Sequence, residues 1–226
     1  MGNRLRLLGT AIGGLANVFG VRLEEHPRHQ MLVREADKEI RRYGARLIVT
    51  TRAEGSREAT QSRNFRVLAA YIFGNNRQRD RIAMTTPVIQ RGEGAPIAMT
   101  APVVMTPDGS SWAMSFILPS RYTPDTVPVP NDPRIELVEE PAEEVAVIRF
   151  SGVPRDRVLR AKARELQRWL DARADYESAG PYRFAAYDPP FTVPFLRRNE
   201  IMIPVTGVRV DRRAPMAPPE RVTGRR

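Results

Sequence analysis

A chain of 226 residues, 42% hydrophobic and 27% charged, is large enough to bury a core as one domain or two fused half-domains. The absence of cysteine excludes disulfides, thiolate nucleophiles, Cys-ligated zinc, iron–sulfur clusters and thioether-linked haem. The net charge of +10 rests on arginine, for Lys38 and Lys162 are the only lysines; the arginines are scattered and often flanked by acids, which argues against a nucleic-acid face and for attraction of small anions.

Residues 1–21 carry Leu5, Leu8, Ile12, Leu15 and Phe19 at three-to-four spacing, the pattern of an amphipathic helix lying on the domain or touching a membrane peripherally. The same stretch has features of a weak export signal, but Gly9, Gly13 and Gly14 interrupt it, so the cytoplasm is the expected compartment. No run of 18 apolar residues offers a membrane-spanning helix.

Residues 39–51 are β-branched and alternate, predicting one strand. A helix is expected over 56–74, with Phe65, Leu68, Ala69 and Ile72 on its buried side and Gly74-Asn75-Asn76 as its stop. Strands over 82–90 and 112–118 complete the first half, 22–118. Within it Ile82-Ala83-Met84-Thr85-Thr86-Pro87-Val88 returns at Ile97-Ala98-Met99-Thr100-Ala101-Pro102-Val103, with a glycine-rich, exposed loop between the copies. Prolines at 119, 124, 128, 130 and 133 predict an extended crossing over 119–134 that is poor in hydrogen bonds.

The second half, 135–208, repeats the order. Strand material spans 135–150 with a turn at Glu140-Pro141. A helix from Pro154 to about Ala174 buries Leu159, Ala163, Leu166 and Leu170, and strands follow over 182–187 and 200–205. Two strand–helix–strand–strand units can curl one antiparallel sheet into a barrel or a pair of facing sheets, with the helices outside. The basic tail, 209–226, is rich in proline, arginine and glycine and is expected to be disordered.

Five blocks in this order carry a resemblance: Tyr71-Ile72-Phe73-Gly74-Asn75-Asn76 with the first repeat copy; Met114-Ser115-Phe116-Ile117-Leu118-Pro119; Arg149-Phe150-Ser151-Gly152; Tyr187-Asp188-Pro189-Pro190; and Arg197-Arg198-Asn199-Glu200. Together, over about 22–205, the sequence resembles the SOUL haem-binding family. The resemblance implies an α+β fold, a distorted antiparallel β-barrel of two pseudo-symmetric strand–helix–strand–strand units. It also implies a haem or other tetrapyrrole held non-covalently in a shallow apolar groove beside the first helix. A similar duplicated architecture occurs in gyrase-inhibitor-like proteins and effector-binding domains. A ligand-sensing or protein-interaction module for another amphipathic anion is therefore the alternative. Some family members carry a histidine proposed as axial ligand within Glu-Ile-Arg-His-Tyr. Here Glu39-Ile40-Arg41-Arg42-Tyr43 puts Arg42 in that place, and a protonated guanidinium cannot ligate iron.

The candidate contacts follow from these elements. Arg63, Arg66, Ala70, Phe73 and Arg77 recur at three-to-four spacing opposite the buried stripe, an apolar platform between guanidinium groups that suits a ring and its two propionates. Phe65 and Ala69 of the neighbouring stripe join them as candidates. Tyr187, Phe191 and the loop to Leu196 form a second wall, and Arg197 is placed to reach a propionate; the alternative for Arg198 and Glu200 is that they brace each other. His26 and His29 flank Pro27 and read as loop residues, with His29 the one alternative axial ligand. Glu139, Glu140, Glu143 and Glu144 read as solvated surface. No Gly-x-Ser-x-Gly elbow, phosphate loop or dinucleotide fingerprint occurs, so a binding protein is expected rather than an enzyme.

Overall fold

Both halves of the chain enter one antiparallel sheet, and each lends the other the strand that precedes its repeat unit. The computed structural model describes residues 26–77, 97, 101–188 and 191–208. In the first half these are β1 (His29–Glu35), β2 (Lys38–Tyr43), β3 (Arg46–Glu54), α1 (Arg57–Ile72), β4 (Asn76–Arg77), β5 (Val103–Asp108) and β6 (Ser111–Ile117). After β7 (Val129–Pro130) come β8 (Glu136–Glu140), β9 (Glu143–Phe150), α2 (Asp156–Asp171), β10 (Tyr176–Ser178), β11 (Arg183–Ala186) and β12 (Asn199–Gly207).

The large sheet runs β1-β2-β9-β12-β11-β5-β6-β3-β8, with β10 also on β12, and curls into a half-barrel. Read outward from the β11–β5 junction, β11-β12-β9-β2 on one side mirrors β5-β6-β3-β8 on the other. Each half is therefore a strand–helix–strand–strand unit, as expected, preceded by one further strand that pairs across the molecule: β2 lies on β9 and β8 on β3.

The expected single strand over 39–51 is two. Tyr43 and Arg46 end β2 and begin β3, and the chain turns between them at Gly44-Ala45. Strand β5 was not foreseen, for Pro102 and Pro107 bracket its apolar core. The expected strand over 82–90, the first repeat copy, the N-terminal helix and the basic tail lie outside the described residues. The proline-rich crossing is better bonded than expected: Val127 donates to the Thr123 carbonyl, Tyr71 Oη donates to the Pro128 carbonyl at 2.8 Å, and β7 pairs with β4.

Helix α2 follows its sequence closely, burying Leu159, Ala163, Leu166 and Leu170. Helix α1 starts at Ser56, whose side chain accepts from the Ala59 N–H, and stops at Gly74, which takes φ +111, a conformation that costs glycine little. Its inner side is more polar than expected. Arg57, Thr60 and Asn64 are buried with Val67, Leu68, Tyr71 and Ile72, while Phe65 is 40% exposed and sets its ring edge-on to Phe116. The buried polar groups are all bonded: Asn64 Nδ2 donates to the Trp112 carbonyl at 3.0 Å, and Arg57 reaches Asp156 and the Pro154 carbonyl, joining the starts of the two helices. Alternate strand residues then split the interior. Leu47, Val49, Ile148 and Ile201 pack with the helices, whereas Tyr43, Val145, Val147, Tyr187 and Met202 form a second cluster on the other face of the sheet.

Candidate functional site

The outward side of α1 keeps the composition read from sequence. At 100° per residue Arg63, Arg66, Ala70 and Phe73 fall within an arc of about 80°, and all four are exposed, Phe73 by 75%. Arg77 follows on β4, also exposed. Among the described residues none of Arg63, Arg66 and Arg77 forms an ion pair; Arg66 Nε donates only to the Ser62 carbonyl of its own helix at 3.2 Å. Arg63 and Arg66 thus flank Ala70 and Phe73 on the helix, Arg77 follows just beyond it, and none of the three has a carboxylate partner among the described residues. Ala69 is turned to the core and offers such a patch no area, while Phe65 stands at its margin.

The second wall is a different place. Phe191 and Phe195 are exposed, but Pro194 accepts from the Gly152 N–H, and Arg57 holds the neighbouring Pro154. The loop therefore belongs with the N-terminal end of α1, whereas Phe73 and Arg77 stand at its C-terminal end. Arg197 spends its Nε–H on the Thr192 carbonyl at 2.8 Å. Tyr187 is buried, with its hydroxyl on Glu200 at 2.7 Å and its ring 4.0 Å below Arg198. Neither Ala69 nor Tyr187 presents a surface to an outer ligand.

Among the described residues the α1 face carries no side chain that would ligate iron. Arg42, in the position of the family's histidine, binds Glu144 on the adjacent strand at 2.7 and 2.9 Å. His29 sets its ring 5.2 Å from Tyr43, on the face of the sheet opposite α1, so the sheet separates it from the Phe73 patch. Burial, and then the Arg41 charge, lower the His29 pKa. No group of three metal-ligating side chains occurs among the described residues. Among the described residues, the side chains of the α1 face are of the kinds that suit a ring and its carboxylates, and none is of a kind that ligates iron.

Sequence reasoning missed the charged cluster on the other face. Glu200, fully buried, accepts from Arg41 (2.9 and 3.2 Å), Arg198 (3.0 and 2.7 Å) and Tyr187. Burial works hardest against its ionisation, yet Arg41, Arg198 and the Tyr187 hydroxyl together hold the carboxyl below its usual range. Of this only the Arg198–Glu200 brace was foreseen. Period-two alternation does set Glu39, Arg41 and Tyr43 on one face, and that was the available signal. Of the acids at 139–144, Glu139 is exposed as expected, but Arg46 joins Glu140 and Glu143, Arg183 joins Glu143 and Arg42 joins Glu144.

Fold and site together define a duplicated α+β domain with a half-barrel sheet and an arginine-rimmed apolar helix face. The model of the SOUL heme-binding protein family matches residues 24–204, and the chain belongs to that family. No curated protein matches its sequence. Among solved structures it is similar to the EcmrR C-terminal domain, at 12% identity over 80% of this chain and 99% of that one, with a TM-score of 0.55. EcmrR in its DNA complex matches at 12% identity over 91% and 71%, TM-score 0.52. An uncharacterized conserved protein from Listeria innocua matches at 10% identity over 81% and 93%, TM-score 0.50. At such identities the likeness is one of fold. No helix among the described residues is long and apolar enough to cross a membrane.

Proposed function

We propose that this protein is a non-catalytic carrier or buffer of haem or a related tetrapyrrole, bound without covalent attachment on the outward face of α1. The observation that carries this reading is the exposed Phe73 and Ala70 set among Arg63, Arg66 and Arg77, none of them ion-paired within the described chain. The macrocycle rests on the apolar patch, and the arginines take the propionates through paired, charge-assisted hydrogen bonds. Bound haem would supply its iron chemistry from a metal that these residues leave without a protein ligand.

Magnitudes set the affinity. Hiding roughly 300 Å² of apolar surface contributes about 7 kcal/mol at about 25 cal/mol/Å². Association removes several kcal/mol, and each exposed Arg–propionate pair returns about 1 kcal/mol. A dissociation constant of about micromolar follows. Titration with haemin and with iron-free protoporphyrin tests the reading: both bind comparably, and Phe73→Ala with Arg66→Glu weakens both. If neither binds below about 50 µM, the reading is wrong.

The fold shared with EcmrR, a protein solved in complex with DNA, favours one alternative, a module that senses another amphipathic anion or contacts a partner protein. That reading takes over if both porphyrins fail.

A further inference from the structure

Beside α2 lies an open groove of about 300 Å³, at the lower end of the range for small-molecule sites. Its helical wall is Arg160, Ala163, Arg164 and Gln167, a single line at three-to-four spacing; Gly180, Pro181 and Tyr182 face it, and Ile203 of β12 lies beneath. The floor is apolar and the rim cationic. Arg164 has no ion pair among the described residues. Arg160 comes only within 4.0 Å of Asp156, a carboxylate that Arg57 already holds at 2.7 Å. The Tyr182 hydroxyl has no hydrogen-bond partner among the described residues, and Gln167 donates to Asp171 while its own side-chain oxygen stays available.

We propose that this groove is a second binding site, distinct from the α1 face, for a compact aromatic monocarboxylate. The ring would lie against Pro181 and the Tyr182 ring, over the buried Ala163 and Ile203, and the carboxylate would meet Arg160 and Arg164, one helical turn apart, with the Tyr182 hydroxyl donating a further bond. A neutral aromatic would leave both guanidinium groups unmatched, and a small inorganic anion would leave the apolar floor uncovered. The volume is too small to enclose a tetrapyrrole, so the site takes a different ligand from the one proposed for α1. Burial, followed by the Asp156 charge, raises the Tyr182 pKa, which keeps its hydroxyl protonated and able to donate at neutral pH.

The full chain, labelled with nitrogen-15, is titrated with 2-naphthoate and with 2-naphthamide. The acid should move the amide signals of Ala163, Arg164, Gly180 and Tyr182 and bind at least about fivefold more tightly than the amide. Arg164→Gln should weaken the acid about fivefold and leave the amide unchanged, whereas Arg66→Gln on α1 should change neither. Ala163→Leu, which fills the groove, should remove the shifts. Equal binding of acid and amide, shifts confined to α1, or no shift at about 10 mM ligand would each overturn the proposal. Haemin binding on α1 is unaffected by any of these results, so the two sites stand or fall separately.

Discussion

Arg41 Nη1 lies 2.9 Å from Glu200 Oε2, and this pair spans 159 residues to join β2 of the first half to β12 of the second. Between them stands only β9. Both side chains are almost fully buried, at 4% and 0% exposure, and they sit in a wider network in which Arg41 also bonds Glu39 at 2.6 Å and Glu200 also bonds Arg198 at 2.7 Å. Arg41→Met leaves Glu200 with Arg198 as its remaining cation and the Tyr187 hydroxyl as a neutral donor, and Glu200→Gln leaves Arg198 on a neutral acceptor while Arg41 keeps Glu39. Each should cost about 3–5 kcal/mol in equilibrium urea unfolding. The double variant should cost less than the sum of the two, because both residues belong to one hydrogen-bonded network and each single change already removes their shared contact.

Acid should weaken the same junction. The native Glu200 carboxyl sits below its ordinary value of 4.5, so the native state binds fewer protons there than the unfolded chain. The stabilisation is fully present above the unfolded value and is lost as pH falls through the lowered native one. Thermal melts between about pH 3 and pH 7 should show the gap between wild type and Glu200→Gln closing on the acid side. A gap that stays constant would mean that the carboxylate's charge contributes nothing.

Arg57 ties the helices to each other. Its guanidinium donates to Asp156 at 2.7 Å, to the Pro154 carbonyl at 3.0 Å and to Gln61 at 3.1 Å, in a nearly buried setting. Arg57→Ala should cost about 2–4 kcal/mol and leave Asp156 with the distant Arg160 as its one cation among the described residues. Chemical denaturation measures the loss. Arg52→Ala serves as the control, since its contacts at 3.4 and 3.6 Å are between exposed groups and contribute about 0–1 kcal/mol.

His29→Ala should leave the Soret band of a haemin complex unchanged in position and the haemin affinity within about twofold of wild type. The sheet lies between this ring and the α1 face, so a shift of the band would place the pigment on the wrong side of the protein for the reading given above.

Salt should weaken haemin and protoporphyrin binding alike. The arginines of the α1 face are exposed, and their attraction for propionates is screened over about 8 Å at physiological ionic strength. Raising sodium chloride to about 1 M should raise both dissociation constants. Salt-independent binding would leave the ring contact alone in place.

The helices were legible because their apolar residues recur at helical spacing, and α2 buries all four of the residues its pattern selects. The pattern of α1 was blurred by Arg57, Thr60 and Asn64, polar groups buried through hydrogen bonds to distant strands, and by Phe65, which leans outward against Phe116. Strand identity was harder. The break between β2 and β3 rests on one glycine and one alanine, and Pro107 inside β5 argues against a strand until β6 and β11 are seen on either side of it. The exposed α1 face survived because a surface needs only its own helix to define it. The Glu200 cluster did not, because Arg41 and Glu200 meet only once β2, β9 and β12 have been laid side by side.

The reciprocal loan of β2 and β8 makes the two repeats inseparable in practice. Severed in the proline-rich crossing and expressed apart, each fragment would expose a long unpaired ladder beside β9 or β3, a surface prone to aggregation. Mixed from the denatured state they should recombine, slowly, since most of their pairings are non-local. The two repeats should therefore unfold together, as a single cooperative unit.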